Sequence, residues 1–164
     1  MEPRDQKGAS LMAFTLTSTA FQEGAIIPKK HTCSGQDVSP PLSWSPPPKS
    51  TRSFALIMDD PDAPGGTWVH WVIFNIPGQS SGLPEGVPSK QSFPTGEQQG
   101  SNDFRRIGYG GPCPPPGKPH RYFLKLYALD TTLKLQPGAS KAEVLAACHN
   151  HILAEAQLMG RYGR

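Results

Sequence analysis

Apolar and polar residues alternate along Phe14-Thr15-Leu16-Thr17-Ser18, the two-residue period of a half-buried strand, and the residue types there favour extended backbone. Gly24 to Pro28 reads as a turn into a second short strand. Leu42-Ser43-Trp44 is a third, confined between Pro40-Pro41 and Pro46-Pro47-Pro48. Prolines lack the N–H that a central strand must donate, so this piece is expected at a sheet edge. Ser53 to Met58 (SFALIM) is a compact apolar run of strand length, the pattern of a strand buried on both faces. Thr67 to Ile76 (TWVHWVIFNI) is the strongest strand in the chain, stopped by Pro77-Gly78, and Arg121 to Leu129 (RYFLKLYAL) alternates as another central strand. Between them, Gln79 to Asp103 offers Gly, Pro, Ser and Gln with isolated apolar residues. It predicts a long excursion with room for one short strand, of the kind that is functional or locally ordered.

Helical periodicity occurs once. Ser140-x-x-Glu143 is a capping box after the breakers Pro137-Gly138, and good helix formers continue to Gly160. Leu145, Cys148, Ile152, Ala156 and Met159 recur at three- and four-residue steps, which predicts one amphipathic helix over 140–160 lying on a sheet. His149-Asn150-His151 would then lie on a solvated face, since helix neighbours are three or four apart.

Composition narrows this β-rich picture. The 164 residues fit one domain, expected over 14–164 with a mobile tail over 1–13, in which Met12 is an alternative start. The 19 prolines and 17 glycines suit a protein with many loops. A net charge of +3 with scattered Lys and Arg does not favour nucleic-acid binding, although it can help an anionic ligand. Cys33, Cys113 and Cys148 form neither a C-x-x-C pair nor an even framework, which points to a reducing compartment. Met1 to Ser10 is polar with no apolar core after it, and no run reaches membrane-span length. A cytoplasmic protein without stable membrane insertion is therefore expected.

Two clusters carry the candidate chemistry. Met58 to Trp71 (MDDPDAPGGTWVHW) places Asp60 and Asp62 on a proline-stiffened turn, followed by Trp68, His70 and Trp71 at a strand opening. By strict alternation Trp68 and His70 share one face, to line a pocket, and Trp71 enters the core from the other. Such aspartates also occur simply as turn caps, and a strand histidine can be a satisfied core residue. Gly108 to Tyr122 (GYGGPCPPPGKPHRY) adds glycines whose N–H groups can converge on an anion, then His120 and Tyr122 on one face and Arg121 on the other. Tight turns alone would also explain those glycines and prolines.

These residues make the chain recognisable. CSGQDVSPPLSW, the DPDAP turn, WVHW, GGPCPPPGKPHRY and the terminal LMGRYGR resemble the phosphatidylethanolamine-binding protein (PEBP) family, in its bacterial and archaeal branch described as Raf-kinase-inhibitor-like. The resemblance runs from about Phe14 to the C-terminus. It implies a mainly β fold, a large and a small antiparallel sheet in Greek-key arrangement with a C-terminal helix, and a small anion pocket. Carried over, that pocket comprises Asp60, His70, Gly111, His120 and Tyr122, with Trp68 as an adjoining wall. Asp62, Pro64 and Arg121 would support it, Pro64 through a cis Ala63–Pro64 bond. Only Gly65, Gly66 and Thr67 separate the turn from the Trp-x-His strand, where eukaryotic members carry a longer insertion, so kinase inhibition is not inherited with the resemblance.

The expected function is non-catalytic binding of a small anion such as phosphate or a phosphorylethanolamine-like headgroup, without cofactor or metal. His120 and His70 would supply N–H donors, Tyr122 a hydroxyl and Gly111 a backbone N–H, with Asp60 orienting a histidine. The alternative is a regulator of kinase or peptidase type that binds a protein partner through the pocket rim. A hydrolase ranks below both, because no Ser or Cys stands in a nucleophile setting, and Asp60, His70, His120 and Cys113 match no common zinc spacing. A homodimer is an expectation from the resemblance, and the pairing of Cys33 with Cys113 stays open.

Overall fold

The all-apolar run becomes the middle of the larger sheet. In the computed structural model, which describes residues 13–164, β3 (Ser53–Asp60) is buried at every position. It lies between β4 (Trp68–Pro77) and β7 (His120–Leu129), and both pairings are antiparallel. The sheet is completed by β6 (Gln98–Gln99) beside β4 and β8 (Ile152–Tyr162) beside β7, in the order β6-β4-β3-β7-β8. A second antiparallel sheet holds β1 (Leu16–Thr17), β2 (Leu42–Trp44) and β5 (Gly82–Leu83), in the order β1-β2-β5. Of the expected tail, only Ala13 lies within the described residues.

Each face of β3 feeds its own core. Phe54, Leu56 and Met58 pack with Trp71, Tyr122 and Leu124 and with Leu16, Leu42 and Trp44 of the small sheet. Ala55 and Ile57 pack with Val72, Phe74 and Leu129, and with Val144 and Cys148 of α1 (Lys141–Cys148). The large sheet is thus covered by the small sheet on one side and by the helix on the other, the layered solution for a strand apolar on both faces. No helix among the described residues is long and apolar enough to cross a membrane.

Three expectations change. β2 is the central strand of its sheet, paired on both sides, because the flanking prolines shorten it to three residues without entering it. Gly24 to Pro28 forms no strand and makes only a bridge, Ile26 to Arg161. The helix has its capping box, Ser140 Oγ accepting from the Glu143 N–H and Glu143 Oε1 from the Ser140 N–H, but ends at Cys148 rather than Gly160. Asn150 takes a left-handed φ of 69°, the chain reverses, and β8 runs antiparallel to β7 from Leu129↔Ile152 to His120↔Tyr162. The unpaired edge of β7 outweighs the helix propensity of residues 152–160, since pairing satisfies a whole row of backbone groups. The buried positions Ala156, Leu158, Gly160 and Tyr162 then follow a period of two. His149 and Asn150 are exposed turn residues, and His151 pairs through Nδ1 with Asp130 Oδ1 at 2.8 Å.

Cys33 and Cys113, 80 residues apart in sequence, form a disulfide, so the odd cysteine count is one bridge plus a buried thiol, Cys148. That bridge removes the ground for reading a reducing compartment from the cysteines.

Two outcomes follow from this arrangement. Leu158, 3% exposed, faces the first core, whereas Leu153, 38% exposed, faces outward. Leu158→Ala is therefore expected to cost about 2–4 kcal/mol in urea denaturation, and Leu153→Ala less than about 0.5 kcal/mol. Replacing both Cys33 and Cys113 by Ser should lower stability by about 4 kcal/mol on the chain-entropy account. Dithiothreitol should have the same effect on the native chain and none on the double variant.

Candidate functional site

The end of the large sheet where β3 finishes and β4 and β7 begin carries the chemistry. Alternation along β3 sends its last two carboxylates to opposite faces, and each is 3% exposed. Asp59 meets Lys141 Nζ of α1 at 2.6 Å on the helix side. Asp60 faces the other way and is the centre of a network. Its Oδ1 accepts the Asp62 N–H at 2.7 Å, which closes the turn, and its Oδ2 lies 2.7 Å from His120 Nδ1 on β7. Burial, and next the charge and hydrogen bonding of Asp60, push the Tyr122 hydroxyl well above its ordinary pKa, so it stays protonated beside that carboxylate.

The turn after Asp60 is fastened from outside. Asp62 accepts from Arg121 three times, from the backbone N–H, Nε and the terminal guanidinium nitrogen, each at 2.9 Å. The fork-like contact with Arg121 holds the Asp62 carboxyl down at about 2. Because Arg121 and His120 point to opposite faces of β7, the same turn is gripped on both sides of the strand. No described peptide bond is cis, so the Ala63–Pro64 bond is trans, contrary to expectation. The reversal is instead closed by the Gly66 N–H donating to Ala63 O at 3.1 Å, with Gly66 at a left-handed φ of 112°.

At His70 β4 departs from simple alternation. Trp68 pairs with Asp60, Val69 with Asp59 and Trp71 with Met58, so an extra residue, His70, is inserted opposite one step of β3. This bulge corrects the expected face of Trp71. Trp71 enters the core on the same side as the pocket, packing with Met58 and Tyr122 in the first cluster, while Val69 and Val72 pack on the helix side. Its indole N–H donates to Gln99 Oε1 at 2.8 Å, and Gln99 donates in turn to Pro88 O and Lys90 O, which anchors the long excursion.

His70 itself is 2% exposed. Its Nδ1 is 2.6 Å from Gly110 O, and the Gly110 N–H donates back to His70 O at 2.9 Å. A carbonyl only accepts, so Nδ1 carries the hydrogen and Nε2 is the ring nitrogen left for the cavity. Burial lowers the pKa of His70, against the raising effect of the Gly110 carbonyl and of Asp60, and favours the neutral ring. Tyr122 and Phe104 stand edge-on to it at 5.2 and 5.3 Å.

Asp60, Trp68, His70, His120 and Tyr122 thus line one cavity of about 210 Å³, with Ala63, Pro64, Phe104, Cys113, Pro114 and Pro115 as its walls. Trp68, 38% exposed, stands at its mouth against Phe104. Gly111 does not line this cavity, contrary to expectation. Its N–H is engaged by Asp37 Oδ1 at 2.8 Å, and a Cβ there would come within 2.3 Å of His31 O. Glycine is required at 111 for the loop to close against the Lys29–Thr32 turn, and its N–H is not available to a ligand. Asp62 and Arg121 lie outside the cavity, as supports.

Residues that sequence reasoning missed are Gly110, which orients His70; Asp37, which holds Gly111; and Phe104, which forms a wall. Asp37 lies within CSGQDVSPPLSW and Gly110 within GYGGPCPPPGKPHRY, whereas Phe104 carries no signal in an irregular segment. Among the described residues no group of three or more His, Cys, Asp or Glu is placed to hold a metal ion.

Comparison with known proteins agrees with this geometry. The phosphatidylethanolamine-binding protein family model matches residues 17–163. A UPF0098 protein of Methanothermobacter thermautotrophicus is 55% identical over 149 residues, covering 91% of this chain and 98% of the relative. A UPF0098 protein of Aquifex aeolicus is 50% identical, covering 90% and 86%. The crystal structure of E. coli YbcL, described as a new member of the mammalian PEBP family, superposes with a TM-score of 0.85 at 37% identity, covering 92% of this chain and 98% of that one. A PEBP homolog from Chlamydia trachomatis gives the same TM-score, 0.85, at 42% identity, covering 93% and 99%. The family match spans nearly all of the chain and the fold agrees with it, two antiparallel sheets and one C-terminal helix: this chain belongs to the phosphatidylethanolamine-binding protein family.

Proposed function

We propose that the cavity at the end of the large sheet binds a small oxyanion, phosphate or the phosphate of a headgroup such as phosphorylethanolamine, without turning it over. The observation that carries this reading is the convergence of His120, His70 and Tyr122 around buried Asp60, within walls of proline and aromatic rings. Asp60 takes Nδ1 of His120, which turns Nε2 of that ring toward the cavity, where an Nε2–H can donate to an anion. Apolar walls lower the local dielectric and strengthen that contact. The cavity has room for a group of a few heavy atoms, and any larger remainder of the ligand would pass Trp68 at the mouth.

Binding without turnover fits the chemistry of the lining. Its cysteine, Cys113, is held in the disulfide. Cys148 lies in the other core, where burial pushes its thiol up to about 11. The lining offers His120 no serine, threonine or free cysteine, and its one hydroxyl, on Tyr122, is held protonated. A partner protein docking on exposed Trp68 would use the same mouth and compete with the small ligand.

Calorimetry checks this directly. His120→Ala should weaken phosphate and phosphorylethanolamine binding by ~10-fold or more. Lys49→Ala, far from the cavity in the exposed proline segment, should leave binding unchanged. Unaltered affinity in His120→Ala would place the ligand elsewhere.

A further inference from the structure

The polar groups around the cavity are largely engaged with one another. The Gly111 N–H belongs to Asp37, the Asp62 N–H to Asp60, and Nδ1 of His120 to the same carboxylate. His70 gives its Nδ1 hydrogen to Gly110 O. A neutral His70 therefore offers the cavity a lone pair on Nε2, and a lone pair repels an oxyanion unless a hydrogen lies between them.

Resting on the reading of the cavity as an oxyanion site, we propose that His70 is its specificity determinant, accepting a hydrogen bond from an acidic O–H on the bound anion. The ligand class is then narrower than oxyanions at large. Hydrogen phosphate and the singly protonated phosphomonoesters carry such an O–H; sulfate and phosphodiesters do not. One anionic oxygen would take the Nε2–H of His120, and the hydroxyl of the same group would donate to Nε2 of His70. A buried acceptor left facing an unprotonated oxygen is the penalty that excludes the wrong ligand.

His70 is faced by groups from each element packed around it, and they pull in opposite directions. Asp59 and Asp60 approach from β3, both acidic, and Tyr122 and His120 approach from β7. The Gly110 carbonyl fixes the tautomer from the loop, and Phe104 stands edge-on to the ring, with the Arg106 guanidinium over that phenyl ring. Burial holds the ring neutral against the two aspartates, so the acceptor form is the one a ligand meets near neutral pH.

Hydrogen phosphate and sulfate are matched in charge and shape and differ by one hydrogen, which makes them the probes. At about pH 8, where inorganic phosphate is mainly hydrogen phosphate, isothermal titration should show phosphate binding ~10-fold or more tighter than sulfate. His70→Phe, which removes the acceptor, should bring the ratio toward one at the same pH; His70→Gln, whose side-chain oxygen still accepts, should keep part of the preference and holds the proposal testable if His70→Phe folds poorly. Sulfate binding as tightly as phosphate to the native chain would overturn the proposal and leave the oxyanion site standing. If neither anion binds, both fail together.

Discussion

A carboxylate buried to 3% exposure at the end of a central strand is the constraint on which the site depends. Taking such a charge out of water is costly unless it is paired and its lone pairs are satisfied. Asp60 meets that condition with partners from separate elements: the Asp62 N–H from its own turn and His120 Nδ1 from β7, with the Tyr122 hydroxyl held protonated alongside. Removing any one of them would leave part of the charge uncompensated, so the turn, the start of β7 and the orientation of His120 are fixed together. The Asp62–Arg121 pair outside the cavity adds less to stability, because exposed ion pairs are screened. Its effect is geometric, since three contacts set the turn against β7.

The bulge at His70 solves a second problem. A regular strand would place one side chain of β4 on the pocket side for every two residues, and the sheet end needs both an imidazole for the cavity and an indole for the core. Inserting one residue opposite the Met58–Asp59 step puts His70 and Trp71 on the same side. The bulged backbone does not go unpaired: His70 and Gly110 exchange hydrogen bonds, so the loop that walls the cavity also satisfies the irregular strand. Only the loop's glycines permit this approach, because a Cβ at 110 would meet the Phe104 ring within 2.5 Å.

Which parts were legible in the sequence follows from what each depends on. β3 and β4 are readable because burial on both faces leaves a run of apolar residues, and β7 because its polar and apolar residues alternate. The grouping of Asp60 with His120, and of Asp62 and Arg121 as supports, is readable through the family resemblance, and face alternation puts Arg121 opposite His120. Residues 152–160 read as helix because local propensity and a three- and four-residue spacing both point there, while the deciding factor, the open edge of β7, lies some thirty residues earlier in the chain. Alternation puts Trp71 on the wrong face because a bulge leaves no mark on an aromatic-rich strand. Gly111 enters as a ligand donor through the resemblance and through the anion-binding pattern of adjacent glycines, and only the fold brings Asp37 to its N–H. The disulfide was undecidable, since pairing depends on a loop closure across 80 residues.

The wall opposite the β3 turn, residues 110–117, has no strand or helix of its own, yet it lines a site that needs fixed geometry. It is tied at intervals instead. Gly110 is bonded to His70, Gly111 to Asp37, Cys113 to Cys33, Pro114 O to Arg164 Nε at 2.7 Å, and the Gly117 N–H to Arg164 O at 3.1 Å. Between the ties lie prolines, whose fixed φ leaves little freedom to lose. A loop held in this way is already ordered when a ligand arrives, so association does not carry the entropy of ordering it, and a cavity of only about 210 Å³ can hold a small group with few contacts. The prolines and glycines that first looked like an excess of turn formers are, in this wall, what makes the pocket rigid.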